Sequence, residues 1–199
     1  MELINISKKF NDKQILNNIN FKFDKNFYLI TGESGIGKTT LLNIIGGYLN
    51  ADTGSIKYDS KLNIEYLFQE ELLFSNLTVK ENMLIKYLAT EKNNLNNFEA
   101  ICTNILLKLK VENLWDEKIN KLSGGEKQRI QLANILIRDP DIILMDEPIS
   151  KLDKENRSDV INLIMDIFKN KIVIIISHNE IISEFKNLKI MKGNLINNE

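Results

Sequence analysis

The stretch Gly32-Glu33-Ser34-Gly35-Ile36-Gly37-Lys38-Thr39-Thr40 determines how the rest of the chain is interpreted. It fits G-x-x-x-x-G-K-[ST], the pattern of a phosphate-binding loop. The apolar run at 27–31 predicts a buried strand before it, and the apolar spacing over 41–45 predicts a helix after it that ends at Gly46-Gly47. The loop therefore lies between a strand and the start of a helix, the setting that phosphate binding requires.

The loop residues have the chemistry that this setting needs. Glycines allow successive backbone N–H groups to point at phosphate oxygens, and the helix N-terminus adds partial positive charge. Lys38 would reach the β- and γ-phosphates, and the Thr39 hydroxyl would ligate Mg²⁺. The alternative is a glycine-rich turn that binds nothing, and the flanking strand and helix argue against it.

The composition narrows the class of protein. A chain of 199 residues is one large domain or a core with one small subdomain. With 26 Lys plus Arg against 27 Asp plus Glu, no nucleic-acid partner is expected. Cys102 is the only cysteine, which excludes an intrachain disulfide and indicates a reduced, cytoplasmic compartment. No signal peptide is visible and no apolar run is long enough to cross a bilayer, so another chain would have to span any membrane involved.

Two further strands carry polar residues at their ends. The apolar strand at 141–145 leads into Asp146 and Glu147, at the strand end where ligands bind in α/β sheets. Asp146 can hold Mg²⁺ and Glu147 can polarise a water molecule, although Asp-Glu pairs also occur in solvated turns. The strand at 171–177 leads into His178, the only histidine. A lone histidine is more often structural, but this placement favours a role in the site.

The segments flanking the loop predict an antiparallel β layer and a helical insert. Alternating apolar residues over 3–23, with a turn at Asn11-Asp12, predict the β layer. Phe10 could stack on adenine or lie in the core of this layer, and its spacing alone favours the core. Gln69 follows a strand at 63–68 and could sense a metal or a water molecule, although most glutamines are surface residues. Thr78 begins a helix to 88, and a second helix follows over 98–109.

The stretch that begins at Ser123 has two interpretations. Ser123 with Glu126 is a capping box that starts a helix ending before Pro140. Gly124 and Gly125 at the same helix N-terminus could instead expose N–H groups to a phosphate. Local physics does not choose between the two. Asp153 predicts the start of another helix, and 188–196 predict a terminal hairpin.

Taken together, these motifs resemble those of the ATP-binding-cassette (ABC) ATPases over nearly the whole chain. They stand in the family's order: phosphate loop 32–39, glutamine loop Phe68-Gln69-Glu70-Glu71-Leu72-Leu73-Phe74, signature Leu122-Ser123-Gly124-Gly125-Glu126-Lys127-Gln128-Arg129, Walker B segment 142–148, D-loop 150–153, switch histidine His178 and aromatic Phe10. The resemblance implies an α/β P-loop NTPase core, at 1–69 and 123–199, with a largely parallel sheet and the β layer. A helical subdomain at about 70–122 leads into the signature helix. It also replaces the core interpretation of Phe10.

The resemblance further implies a mechanism. Two such subunits, identical or paired with a second cassette, bind head to tail around two ATP·Mg²⁺. Residues 32–40 and Phe10 bind the nucleotide, while Ser123, Gly124 and Gly125 contact the γ-phosphate held by the partner. Lys38 and His178 act on the γ-phosphate, Gln69 senses Mg²⁺ and water, and Glu147 is the general base. Near 70–74, a coupling helix of a separate membrane permease would dock, which implies a peripheral position on the inner face of the membrane.

The compact form most resembles exporter cassettes. Alternatives are a soluble ABC ATPase in translation or DNA repair, or a nucleotide switch without useful hydrolysis. The sequence departs from the family at Glu33, which adds a negative charge to the loop, and at Lys151 in the D-loop. The interval 54–69 is short, and no C-terminal regulatory domain is expected after His178.

Overall fold

The computed structural model describes residues 1–58, 62–90, 95–150, 154–177 and 182–197. The strands are β1 (Glu2–Phe10), β2 (Lys13–Lys22), β3 (Phe27–Thr31), β4 (Thr53–Lys57), β5 (Ile64–Leu67), β6 (Ile142–Asp146), β7 (Ile172–Ile176), β8 (Lys186–Met191) and β9 (Asn194–Asn197). The helices are α1 (Lys38–Ile45), α2 (Val79–Leu88), α3 (Phe98–Leu109), α4 (Gly124–Leu136) and α5 (Lys154–Ile167), with 3-10 turns at Leu95–Asn97, Glu112–Leu114 and Ile119–Lys121. The predicted strand, loop and helix are therefore confirmed as β3, residues 32–37 and α1.

The larger sheet has the strand order β5-β6-β7-β3-β8-β9. Strands β6, β7, β3 and β8 run parallel, and β9 pairs antiparallel with β8 as the predicted terminal hairpin. Every residue of β6 and β7 is buried, which explains why their sequences are continuous apolar runs and do not alternate. Because β3, β6 and β7 are parallel neighbours, their carboxyl ends meet at one edge of the sheet. That edge receives the phosphate loop and the Asp146-Glu147 pair.

The smaller sheet is the predicted antiparallel layer, with strand order β2-β1-β4. Asn11 and Asp12 both have positive φ, 45° and 65°, as a tight hairpin turn requires. Asp52 ties the start of β4 to β1, because its carboxylate accepts hydrogen bonds of 2.7 Å from both the Lys8 Nζ and the Lys9 N–H. These bonds hold the pKa of Asp52 below its usual value.

The chain divides into two compact units. The first comprises Met1–Tyr66, Asp141–Pro148 and the chain from Phe168 onward. It contains α1 and nearly all of the residues of the two sheets. The second comprises Leu67–Pro140 and Ile149–Ile167, and is helical. This division differs from the predicted boundaries, which placed 123–140 and 149–167 with the core. The reason is that α4 packs on α2 and α3, and α5 packs on α4.

The helical unit confirms the two predicted capping boxes. The side chains of Thr78 and Ser123 each accept a hydrogen bond from the backbone N–H of the glutamate three residues on, and the carboxylate of that glutamate accepts one from the backbone N–H of the cap residue. The buried face of α3 contains Cys102, and burial raises the pKa of this thiol to about 12. Among the described residues, no helix has the length and apolar character needed to cross a membrane.

Gly54 gives the first testable prediction, on stability. It has φ +89°, and a Cβ there would lie 2.4 Å from the carbonyl oxygens of both Ile4 and Asn5 in β1. We expect Gly54→Ala to lower the free energy of unfolding by about 2–4 kcal/mol, because neither strand can move without breaking the pairing. Gly47→Ala is the matched control, since its φ is +77° but a Cβ would meet nothing within 4 Å. Urea denaturation that shows equal losses for the two variants would contradict the backbone-contact argument.

Candidate nucleotide-binding site

Glycine is required at Gly37 and at Gly35 of the phosphate loop for two different structural reasons. Gly37 has φ +116°, and a Cβ there would lie 2.7 Å from Ile15 Cγ2 and 3.0 Å from Leu16 Cδ2. Gly35 has φ +72°, but a Cβ there would meet nothing within 4 Å. Gly37 is therefore required by packing against β2, whereas Gly35 is required by its backbone conformation and leaves the surface of the loop open. The packing of Ile15 and Leu16 on the loop has no signal in the sequence, where both read only as core.

Lys38 lies at the centre of the loop. Its side chain is buried, and its Nζ donates hydrogen bonds to the carbonyl oxygens of Gly32 (2.8 Å) and Glu33 (3.0 Å). Burial lowers the pKa of Lys38, and the carboxylates of Glu147 and Asp146 oppose that shift. The structure thus brings the lysine of the loop and the carboxylates at the end of β6 into electrostatic contact, as the strand order requires.

The N-terminus of α1 is suited to an anion. Its cap residue is Gly37, which makes no side-chain capping bond, and its first turn contains no acidic residue. By contrast, α2 and α4 are each capped by a side chain with a glutamate in the first turn. The first N–H groups of α1 therefore stay available, and the positive end of the helix dipole is not neutralised locally. Thr39, in the first turn of α1, is exposed.

The two carboxylates at the end of β6 differ in environment. Asp146 is 5% exposed. The pKa of Tyr66 is raised, mainly because Tyr66 is itself buried and also because of the nearby Asp146 charge. Glu147 has φ +52°, a left-handed conformation that is strained for glutamate, and its N–H donates to the Ile176 carbonyl of β7 at 3.1 Å. The bond to β7 holds this strained backbone, and such strain is typical of functional residues.

Phe10 is exposed, and Lys8 Nζ lies 5.5 Å from its ring centroid. The spacing-based prediction of a core position is therefore wrong. Pairing between β1 and β2 is irregular between Leu3 and Lys9, and each such shift can turn the following side chains to the other face. The aromatic ring thus faces solvent, as a ring that stacks on a base must.

Other predicted residues lie elsewhere. Gln69 and the signature residues belong to the helical unit, where Gln69 is exposed just after β5 and Ser123 caps α4. Gly124 has no positive φ, and a Cβ there would meet nothing within 4 Å. Its own chain therefore gives no reason for a glycine. His178, together with Lys151 and Asp153, lies outside the described residues.

The charged and polar groups of the site fit a nucleoside triphosphate with Mg²⁺. A lysine ammonium, an uncapped helix N-terminus and an open glycine surface suit phosphate oxygens, and the Thr39 hydroxyl and Asp146 carboxylate are the oxygen ligands that Mg²⁺ prefers. The described residues contain no group of three or more His, Cys, Asp or Glu side chains placed to hold a metal.

Comparisons with known proteins agree with this chemistry. The family model described as ABC transporter matches residues 16–150. The chain is 36% identical over 215 aligned residues to the phosphonates import ATP-binding protein PhnC of Fusobacterium nucleatum, covering 93% of this chain and 85% of that protein. Among solved structures it resembles the ADP conformation of MJ1267, an ATP-binding cassette of an ABC transporter, at TM-score 0.87 and 27% identity (98% and 88% of the two chains). It also resembles the dimeric structure of MJ0796, a bacterial ABC transporter cassette, at TM-score 0.81 and 25% identity (98% and 95%).

Proposed function

This chain belongs to the ABC transporter family, and we propose that it pairs head to tail with a second cassette to drive a separate membrane subunit. Members of the family are ATPases that use ATP with Mg²⁺, and this chain is the ATPase subunit of a transporter. The observation that supports ATP as the ligand of this subunit is the single sheet edge that brings Lys38, Asp146 and Glu147 together beside the N-terminus of α1.

Each residue of the site has a proposed task. The backbone of Gly32 to Thr40 and the Lys38 ammonium hold the phosphates, and Phe10 stacks on the adenine. Thr39, Asp146 and Gln69 hold Mg²⁺, whose charge neutralises the phosphate oxygens. Glu147 accepts the proton of the attacking water, and His178 positions the γ-phosphate. The strained Glu147 backbone, held by its bond to Ile176, supports this proposal because it fixes the position from which that carboxylate extends.

The signature residues serve the partner's nucleotide. Ser123, Gly124 and Gly125 stand at the start of α4, and Gly124 is a glycine that its own chain does not require. Close approach of a second molecule to the Gly124 backbone would explain why a glycine stands there. A related cassette has been solved as a dimer, which supports pairing.

Import is the direction we propose. The compact form predicted an exporter, and that prediction finds no support, because the curated relative is named an import protein. The match to a transporter family also favours transport over a soluble role or a nucleotide switch. We place the subunit on the inner face of the membrane, against the permease.

Gly124→Val tests the pairing directly. In the Glu147→Gln background, we expect ATP·Mg²⁺ to convert the chain from monomer to dimer, as measured by light scattering. Adding Gly124→Val should keep the chain monomeric, because the new side chain obstructs only the partner's phosphate. At protein concentrations low enough for the parent to stay monomeric, the two should bind ATP with affinities within about twofold of each other. Thermal melting should be unchanged, since there is room for a Cβ. A fall in the chain's own ATP affinity would overturn the assignment of the signature to the partner.

The membrane role is tested by purification of tagged Glu147→Gln from its native cells, with ATP present during membrane extraction. We expect an integral membrane protein in fixed proportion to the cassette, and we expect ATP hydrolysis by the wild-type pair to rise when that protein is restored in vesicles. Recovery only with soluble partners would contradict the transporter assignment.

A further inference from the structure

Asn82 is a buried polar residue on α2 that the proposed chemistry does not use. It is 3% exposed, and its side-chain amide forms hydrogen bonds with both the N–H and the carbonyl of Phe74. The Phe74 N–H donates to Asn82 Oδ1 at 2.8 Å, and Asn82 Nδ2 donates to the carbonyl oxygens of Phe74 (3.2 Å) and Thr78 (2.9 Å). Leucine offers neither group, and aspartate offers only the acceptor, so the arrangement requires an amide.

Phe74 lies at one end of two segments, 74–80 and 115–120, that we call the paired segments. Their backbones are joined by hydrogen bonds of 3.0 Å from Asn120 N–H to Ser75, Ile119 N–H to Leu77, Val79 N–H to Glu117 and Lys80 N–H to Trp115. Thr78 and Lys118 also form an isolated β-bridge. Because several bonds act together, the paired segments form a small rigid ladder within the helical unit.

The signature begins at the same end of the ladder as Phe74, because the segments run antiparallel and Asn120 pairs with Ser75. The 3-10 turn Ile119–Lys121 continues into Leu122, whose N–H donates to the Ile119 carbonyl at 3.1 Å. Ser123, the cap of α4, follows directly. The side chains of Ile119 and Leu122 are buried, so the turn cannot move without its neighbours. A salt bridge also joins α4 to the segment before Phe74, because Lys127 Nζ lies 3.8 Å from the Glu71 carboxylate.

The loop before this end of the ladder faces solvent. Phe74 is 58% exposed and Leu72 is 65% exposed, so two large apolar side chains stand on the outside of the loop that Asn82 anchors. A displacement of Phe74 can therefore follow two routes. While the amide bonds of Asn82 are intact, we expect a displacement of Phe74 to move the ladder and the start of α4 as well. Without those bonds, we expect only the loop around Phe74 to move.

We propose that Asn82 is a positioning residue that makes the exposed Phe74 loop and the signature at Ser123 move as one body. The inference rests on the proposed function in one respect, namely that the signature serves the partner's nucleotide. Asn82 then acts on turnover through the position of the signature, and it has no part in binding ATP to its own phosphate loop.

Hydrogen–deuterium exchange of the nucleotide-free chain tests the tie itself. We expect Asn82→Ala to speed exchange by about tenfold or more at the amides of 74–78 and also at 119–123, since the Phe74 N–H loses its acceptor and the carbonyls of Phe74 and Thr78 each lose the side-chain donor. Asn82→Asp should behave similarly, because it keeps the bond from the Phe74 N–H but lacks both donors. Ile105→Ala is the control: it removes a buried side chain of α3 and leaves these hydrogen bonds untouched. Faster exchange confined to 74–78, or the same pattern in Ile105→Ala, would overturn the proposal.

Kinetics separate positioning from general destabilisation. For Asn82→Asp we expect ATP affinity within about twofold of wild type and a turnover number about tenfold lower, since only the signature is displaced. Ile105→Ala should keep both values near wild type at temperatures where it is folded. Unchanged turnover in Asn82→Asp with faster exchange at 119–123 would overturn the link to the signature. Failure of ATP·Mg²⁺ to dimerise the Glu147→Gln chain would instead contradict the proposed function, and the exchange experiment would still decide whether Asn82 ties Phe74 to the signature.

Discussion

Lys38→Ala is expected to lose ATP binding. In the structure the Lys38 ammonium is buried against the carbonyls of Gly32 and Glu33, and burial lowers its pKa although the charges of Glu147 and Asp146 oppose that shift. Those bonds can be exchanged for bonds to phosphate oxygens, in which the acceptor as well as the donor is charged. Without the ammonium, the phosphates would face two carboxylates and the exposed Glu33 with no cation from the loop. We expect ATP affinity to fall by about 100-fold or more.

Isothermal titration calorimetry with ATP·Mg²⁺ measures this change. Lys57→Ala is the matched control, since it removes the same charge from an exposed position on β4 of the same unit. It should bind ATP like wild type. Thermal melting of Lys38→Ala should stay close to wild type, because the lost hydrogen bonds are offset by the removal of a buried charge. Binding within threefold of wild type would show that the loop is not the phosphate site.

Local patterns predicted the parts of the fold that are determined locally. The apolar run 27–31, the glycines and the spacing over 41–45 predicted β3, the loop and α1, because strand, turn and helix each depend on neighbouring residues. The capping boxes at Thr78 and Ser123 were predicted for the same reason, since their hydrogen bonds span only three residues.

Features that depend on distant residues were not predicted. The exposure of Phe10 follows from register shifts in β1, and the grouping of α4 and α5 with the helical unit follows from side-chain packing between helices. The sequence likewise gives no sign that Ile15 packs on Gly37 or that Asn82 bonds Phe74. Each of these contacts joins residues whose pairing only the three-dimensional arrangement determines.

The site combines both kinds of information. Sequence alone indicates Asp146 and Glu147 as a pair that follows a buried strand, and the strand order places that pair beside Lys38. The backbone conformation of Glu147 could not be predicted, because glutamate has no preference for positive φ. Its strain separates the two carboxylates: Asp146 ends β6 in an extended, buried position, whereas Glu147 turns away from the strand.

Glu147→Gln is expected to bind ATP and to lose turnover. Glutamine has nearly the shape of glutamate and the same restriction at φ +52°, so the variant removes the charge while the backbone strain remains. The N–H bond to Ile176 is also unaffected, since it belongs to the main chain. A general base contributes about 10²–10⁴-fold to a reaction, and we expect the turnover number to fall within that range. ATP affinity should be equal to or above that of wild type, because one negative charge near the phosphates is gone.

Single-turnover hydrolysis together with equilibrium ATP binding measures the two effects separately. Glu2→Gln is the control, as it removes one negative charge from an exposed position on β1 and should hydrolyse ATP at the wild-type rate. If Glu147→Gln turned over normally, the general base would have to be another group, and the strain at Glu147 would need a structural explanation. If it failed to bind ATP, the carboxylate would act on nucleotide binding and not on the attacking water. Retained binding with blocked turnover is the only outcome that assigns Glu147 to the chemical step, because it separates the charge that reacts from the loop that holds the phosphates.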